Sequence, residues 1–279
     1  MISVIMSCHK SNRQYLKESI ESVLNQTYGD FELLVANNGV DFDLRGFLAD
    51  FKDARIKYID NGGNIGPTAS YDKLAELAQG EYVAIQDHDD ISVPSRLMVE
   101  KLALDRYPVR SVSGCIHIFG GKREYNDGEY MPPDRVSEEL IFWQPIKQPT
   151  WMKRKSFCNQ YRYGDRYMIY DFEFWSRTRK EPHYIMNDIV LEYRKSNLNT
   201  GNKRTQKIRE EHAKIVQRNL SSLGIEAPIE LCQALDPYNG HIFDKSLVDL
   251  FLSYRGVLLR HISTELYERK LQELKNKTI

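Results

Sequence analysis

Four short strand-like runs, separated by stretches of helical periodicity, constrain this chain more than any other feature. Ile2 to Met6, Phe31 to Val35, Arg55 to Ile59 and Tyr82 to Ile85 each have the length and composition of a strand. Between the first two, Tyr15, Leu16, Ser19, Ile20, Val23 and Leu24 recur at helical spacing and predict an amphipathic helix over residues 13–27. Leu44, Phe47, Leu48 and Phe51 predict a second helix. Ala69, Leu74, Leu77 and Ala78 predict a third, opened by the Gly-rich loop Asn61 to Pro67 and ended by Gly80. Ser11-Asn12 and Asn37-Asn38-Gly39 punctuate. Strands alternating with helices predict a parallel sheet with covered faces and right-handed crossovers.

The fourth run stops abruptly at Asp87-His88-Asp89-Asp90. In an open α/β sheet, ligands bind beyond the carboxyl ends of the strands, where this run ends. Like charges so close together repel, and a cation relieves the repulsion. Hard oxygen ligands at this density suit Mg²⁺ or Mn²⁺ bound together with phosphates. The plainer reading of so short a motif is a solvated acidic loop capping the helix that begins near Pro94.

After residue 110 the rhythm changes. Val112 to Phe119 reads as a strand, residues 120–136 as a mobile loop and residues 145–153 as an extended segment. A helix begins around Asp171, with Asp171 near its N-terminus. Ile185 to Glu192 reads as a late strand and Arg194 to Lys203 as a polar loop. Helices are predicted over residues 205–222, 226–235 and 244–275, with no internal repeat.

Lys plus Arg and Asp plus Glu both total 39, so there is no global basic field and no nucleic acid is expected as a partner. Cys8, Cys115, Cys158 and Cys232 are scattered without C-x-x-C or zinc spacing, and are expected to be reduced thiols of a cytoplasmic protein. Met1 to Ser7 is too short for a signal peptide, and no segment has the roughly 18 apolar residues that span a bilayer.

Taken in order, several segments resemble the family-two inverting glycosyltransferases of GT-A fold. They are Ser3 to Ser7, Tyr15-Leu16, Ser22 to Tyr28, Phe31-Glu32-Leu33, Asn64-Ile65-Gly66 and Gly80-Glu81-Tyr82 followed by Asp87-x-Asp89-Asp90. Pro94-x-Arg96-Leu97, Pro149 to Arg154, Asp171 to Trp175 and Tyr193-Arg194 continue the match, which covers about residues 2–200. The resemblance is to bacterial enzymes that build capsule, exopolysaccharide or lipopolysaccharide. It implies a Rossmann-like, mostly parallel α/β sheet with helices on both faces. A GT-A domain would span residues 1–203, divided into a nucleotide-sugar half (1–110) and an acceptor half (111–203), with a helical C-terminal extension at 204–279.

The resemblance also implies a nucleotide-sugar donor, with UDP the expected nucleotide, and a glycan or lipid-linked acceptor. Asp89 and Asp87 are the implied ligands of Mn²⁺ or Mg²⁺, whose charge would stabilise the leaving diphosphate. Asp171 falls in the position of the general base. Asp is also a favoured helix N-cap, and the two roles are compatible. Ser7, His9, Asn38, Asp72, Asp87 and His88 are implied to shape the donor pocket. His9 can stack on the base or be a solvated loop residue. Asn38, in place of the family's Asp, can accept a hydrogen bond from the base or donate one. Asp72 has the alternative reading of an exposed helix residue. Arg194 and Lys195 contact phosphates or are surface charge. The late motif ends in Ser196 rather than the family's His, so no third protein ligand for the metal is evident.

Two other functions remain open on the sequence: a metal-dependent sugar nucleotidyltransferase, and a non-catalytic sugar-nucleotide-binding assembly subunit. The tail carries basic residues from Lys203 to Arg218 and an apolar stripe of Leu247, Phe251, Tyr254, Leu258, Ile262, Leu266 and Tyr267. Such a stripe packs on its own domain or on a second protomer. The alternative is peripheral contact with the inner face of a membrane.

Overall fold

The computed structural model describes residues 1–195 and 205–278. In chain order its first elements are β1 (Ile2–Cys8), α1 (Arg13–Leu24), β2 (Phe31–Asn37), α2 (Leu44–Ala49), β3 (Ile56–Asp60), α3 (Pro67–Leu77) and β4 (Tyr82–Ile85). Next come β5 (Ile91–Ser92), α4 (Arg96–Arg106), β6 (Ser111–Phe119), β7 (Tyr125–Asp127) and α5 (Pro133–Glu139). A 3₁₀ turn (Gln148–Thr150), β8 (Met152–Arg154), α6 (Lys155–Gln160), α7 (Tyr170–Arg177) and β9 (His183–Arg194) follow. The tail holds α8 (Gln206–Ser221), α9 (Ile229–Ala234), α10 (Ser246–Ser253), α11 (Arg255–Leu258) and α12 (Thr264–Lys275).

The chain forms two compact units. The first comprises Met1–Pro133, Ile146–Asp165 and Glu181–Asn199. Its sheet runs β3-β2-β1-β4-β8-β6-β9-β5, with β7 added to β6. The leading strands are parallel, as expected: Val4 lies opposite Leu33 of β2 and Ala84 of β4. Beyond β4 the sheet is mixed rather than mostly parallel, because β8 is antiparallel to both β4 and β6. Ile2, Val4, Met6, Leu33, Val35 and Ala84 share a core with Leu16, Ile20 and Val23 of α1. The alternation along each strand therefore directs one set of side chains onto the helices.

Local chemistry sets the element ends. Asn12 Oδ1 accepts the backbone N–H groups of Gln14 at 2.9 Å and Tyr15 at 3.2 Å, capping α1. Gly66 has φ +84° and precedes Pro67 at the first position of α3, the usual asymmetry of such a start. Gly80 does not end α3, which closes on Ala78. A Cβ at Gly80 would lie 2.6 Å from the Ser3 nitrogen, so glycine is needed there for close approach to β1. The segment expected to be a mobile loop over residues 120–136 instead contains β7, paired with β6, and the start of α5. Lys147 holds Asp127 of β7 at 2.7 Å.

The second unit comprises Asp134–Pro145, Arg166–Lys180 and Thr200–Ile279. The expected division at 203/204 lies outside the described residues, and the grouping is different: residues 134–145 and 166–180 join the tail. Ile141, Phe142 and Phe172 share one core with Val216, Leu231 and Phe251, which explains this. The tail helix expected over residues 244–275 is broken into α10, α11 and α12, and Ser263 Oγ caps α12 by accepting the Leu266 N–H at 3.3 Å. Phe251, Leu258, Ile262, Leu266 and Tyr267 of the apolar stripe are buried within this unit, and Leu247 and Tyr254 pack against the same core. The stripe is therefore covered by its own unit, and the feature that suggested membrane or protomer contact is removed. No helix among the described residues is long and apolar enough to cross a membrane. Residues 196–204, which hold Ser196 and Lys203 of the expected polar loop and Arg204 after it, lie outside the described residues.

Candidate active site at the end of strand β4

The acidic loop is held from beneath by a buried polar network. Gln86, fully buried, follows β4. Its amide nitrogen donates to Ser19 Oγ at 3.0 Å, to the Asp87 carbonyl at 3.1 Å and to the Asp90 carbonyl at 2.9 Å. Its carbonyl accepts from Ser92 Oγ at 2.5 Å and from an Arg96 Nη at 3.1 Å. Arg96 also donates to the Ile85 carbonyl at 2.7 Å and pairs with buried Glu100 at 3.3 Å. Burial pushes the Glu100 carboxyl up to about 7, against the pull of Arg96. On the far side, β5 pairs antiparallel with β9, setting Ile91 opposite Glu192. Gln86 was not singled out from the sequence; its signal was a polar amide between an apolar strand and a run of acids.

The carboxylates on this platform are only partly compensated, Asp87 by His88 and Arg96 and Asp90 by Arg194. Asp87 Oδ1 accepts the Tyr71 hydroxyl at 2.9 Å. Burial and the neighbouring Asp89 push its carboxyl up to about 6. Asp90 is 0% exposed; its Oδ1 accepts the Arg194 backbone N–H at 2.8 Å, and its Oδ2 is buried without a partner. Burial and then Asp87 raise its pKa well above the usual range. His88 Nε2 meets the His9 carbonyl at 3.1 Å, and Nδ1 lies 3.6 Å from Asp89. Burial opposes the imidazolium most, but Asp89, the His9 carbonyl and Asp87 together outweigh it, so the His88 pKa is raised.

Among the described residues no three acidic, His or Cys side chains converge as a metal cage. Mg²⁺ and Mn²⁺ do not need one: they keep waters and phosphate oxygens and take one or two carboxylates from the protein. Asp87 and Asp89, beside the orphaned Asp90 Oδ2, fit such a cation in donor chemistry and in charge.

The strand ends around this loop bring together several of the expected donor-pocket residues. Ser7 Oγ lies 2.7 Å from Ser70 Oγ, and Asn61 Nδ2 donates to the same Ser70 hydroxyl at 2.9 Å. His9, half-buried, has Nδ1 at 3.1 Å from the Asn38 carbonyl. Asn38 departs from expectation. It is 2% exposed, and its Oδ1 accepts both the Ile65 N–H at 3.0 Å and Asn61 Nδ2 at 3.3 Å. Both lone pairs are thus occupied in holding the Gly-rich loop, and none is left for a nucleotide base. Asp72 is half-buried rather than an exposed helix residue, and its Oδ1 accepts the Tyr163 N–H at 3.1 Å.

Arg194 also departs from expectation. Its Nε donates to the Asp89 carbonyl at 2.8 Å, an Nη meets Glu18, and the guanidinium lies over the rings of Tyr15 at 4.2 Å and Phe119 at 4.7 Å. It therefore latches the acidic loop instead of standing ready for a phosphate. Lys195 is exposed, and its backbone N–H bonds the Phe119 carbonyl at 2.8 Å.

Asp171 belongs to the second unit. It occupies the second position of α7, whose N-cap is Ile169, so it is not the cap. Its Oδ1 accepts the Phe172 N–H at 2.9 Å and its Oδ2 accepts Gln144 Nε2 at 3.2 Å. Glu173, the next carboxylate along, is held by Arg218 at 2.9 Å and Arg177 at 3.3 Å. Gln144 carried no signal in the sequence; the fold alone brings it to Asp171.

The chain is 29% identical over 210 residues to the O-antigen biosynthesis glycosyltransferase WbnJ of Escherichia coli, covering 72% of this chain and 82% of WbnJ. It is 31% identical over 137 residues to WfgD of Escherichia coli, a UDP-Glc:alpha-D-GlcNAc-diphosphoundecaprenol beta-1,3-glucosyltransferase, covering 49% of this chain and 53% of WfgD. The structure of S. aureus TarS residues 1–349 in complex with UDP-GlcNAc superposes with a TM-score of 0.66 at 14% identity, covering 99% of this chain and 87% of TarS. Residues 3–185 match the profile described as Glycosyl transferase family 2, so the chain belongs to that family and has its GT-A α/β fold.

Proposed function

We propose that this glycosyltransferase moves a sugar from a UDP-sugar to a hydroxyl of a glycan or lipid-linked acceptor, with inversion, in the synthesis of a bacterial surface polysaccharide. The observation that carries the reading is the under-compensated acidic loop after β4, where the Asp87 pKa is raised to about 6 and Asp90 keeps an unpartnered oxygen. UDP as the nucleotude class is supported by the donor named for WfgD and by the UDP-GlcNAc bound to TarS. The four cysteines are buried free thiols, in keeping with a reducing cytoplasm, where we place the reaction.

Asp87 and Asp89 would hold Mn²⁺ or Mg²⁺, which when bound supplies positive charge to the departing diphosphate. The chain's own groups do the rest. The Gln86–Arg96–Glu100 network fixes the loop backbone, and Arg194 fixes its far side. His9, Ser7 and the loop held by Asn38 line the nucleotide end. Asp171 takes the proton of the acceptor hydroxyl as general base, oriented by Gln144 and by the Phe172 N–H.

The test is an assay of donor turnover with Mn²⁺ and with Mg²⁺, together with a thermal-shift panel of nucleoside diphosphates. Release of UDP and a shift selective for UDP are expected. Release of pyrophosphate would make the chain a nucleotidyltransferase. Binding without turnover of any donor and acceptor would make it a non-catalytic subunit.

A further inference from the structure

A hydrogen bond reaches the acidic loop from α3. Tyr71 is 7% exposed, and its hydroxyl donates to Asp87 Oδ1 at 2.9 Å. The Asp87 backbone is anchored separately, its carbonyl accepting Ser19 Oγ at 2.8 Å and Gln86 Nε2 at 3.1 Å. With the backbone fixed on one side and one carboxylate oxygen on the other, rotation of the carboxylate plane is removed. Among the described residues no protein group donates to the second oxygen, Oδ2, which is left for a ligand. Tyr71 is itself braced: its ring lies 6.3 Å from the ring of Tyr163, and the Tyr163 N–H bonds Asp72, the residue after Tyr71, at 3.1 Å.

The chemistry of the donor matters as much as its place. A phenol orients a carboxylate without cancelling its charge. A lysine or arginine at the same point would supply the positive charge that a cation otherwise brings. We propose that Tyr71 is a positioning residue that presents Asp87 Oδ2 to the divalent cation, so that metal-dependent donor binding runs through the phenol–carboxylate bond. This rests on the metal-dependent reading above. Groups that orient a metal ligand in this way typically contribute about 10- to 100-fold in metal affinity.

The experiment measures UDP affinity by calorimetry in Mn²⁺ and in EDTA, with melting followed in parallel. It uses the wild type, Tyr71→Phe, Asp87→Asn and the double variant. Phe keeps the ring and its packing, so the melting temperature and the affinity in EDTA should stay near wild type. The affinity in Mn²⁺ should fall about 10- to 100-fold. On the Asp87→Asn background, Tyr71→Phe should add less than about twofold, because the group it positions is gone. Full retention of Mn²⁺-dependent affinity by Tyr71→Phe overturns the role. An equal loss in Mn²⁺ and EDTA, or a further large loss on the Asp87→Asn background, also overturns it and makes Tyr71 a packing residue. If the wild type binds UDP equally in Mn²⁺ and EDTA, the metal reading falls and takes this role with it.

Discussion

Two sets of buried and half-buried carboxylates in this molecule are treated in opposite ways. In the helical unit, Glu139 meets Arg269, and Glu173 lies between Arg177 and Arg218. Each of these acids finds its counter-charge within the chain. In the sheet unit, burial and Asp89 raise the pKa of Asp87, and burial with Asp87 and Asp89 raises that of Asp90. The guanidinium beside them belongs to Arg194, which pairs with Glu18 and touches the loop through the Asp89 carbonyl. A complete pair is architecture, and removing one member strands the other. An incomplete set is a site waiting for charge, and removing one member relieves repulsion. Like substitutions in the two regions should therefore move stability in opposite directions.

The largest effect is expected at Asp89. Asp89→Asn should abolish Mn²⁺-dependent UDP binding in calorimetry while leaving the melting temperature of the metal-free protein unchanged or raised. A lower metal-free melting temperature would mean the acidic loop is architecture after all, and the contrast would collapse. Asp171→Asn should lower transfer by about 10²- to 10⁴-fold in a steady-state assay, with UDP affinity retained. Asn keeps one of the two acceptor oxygens that serve Phe172 and Gln144, so the stability cost should not exceed about 1 kcal/mol. Near-normal transfer would place the base elsewhere, though not at Glu173, whose charge is held by two arginines.

Glu173→Gln should destabilise the protein by about 1–2 kcal/mol in urea unfolding, discounted because Arg177 and Arg218 are partly in solvent. Transfer per folded molecule should be unchanged. No loss of stability would show that the helical unit does not depend on its paired acids.

The last contrast concerns Glu100, a single carboxyl whose pKa burial raises from 4.5 to about 7 despite Arg96. A raised acid binds its proton more tightly in the folded state. Its contribution to stability is therefore present below 4.5 and is lost as the pH rises to about 7. Relative to Glu100→Gln, the wild type should lose stability across that window and run parallel to the variant above it, as measured by denaturant melts at several pH values. Parallel curves throughout would mean that Arg96 fully compensates Glu100, as the arginines do for Glu173.

Much of the sheet unit could be read in advance because its signals are local. Ile2 to Met6 and Tyr82 to Ile85 are short, mainly apolar runs, and Asn12 by its capping side chain and Pro67 by its fixed backbone angle mark helix starts. The tail could not be read the same way. Its apolar stripe continues in register across Tyr254 and Ile262, which conceals the breaks between α10, α11 and α12. The short strand β7 was hidden in a polar stretch because its pairing with β6, not its composition, makes it a strand. Residues 134–145 and 166–180 group with the tail, which no local pattern announces, because partition depends on which core Phe142 and Phe172 enter.

At the site, residue chemistry was legible but hydrogen-bond occupancy was not. Asn38, Asp72 and Arg194 have side chains suited to a nucleotide, yet each is engaged by the protein: Asn38 by Ile65, Asp72 by Tyr163, Arg194 by Glu18. Sequence alone established the alternation that places an acid run at the end of β4, since strand and helix periods and a charge cluster are properties of neighbouring residues. The folded chain decided which of those acids stay under-compensated, which polar groups are already satisfied and that Tyr71 meets Asp87. Those are matters of partners far apart in sequence, and no local pattern encodes the distance between them.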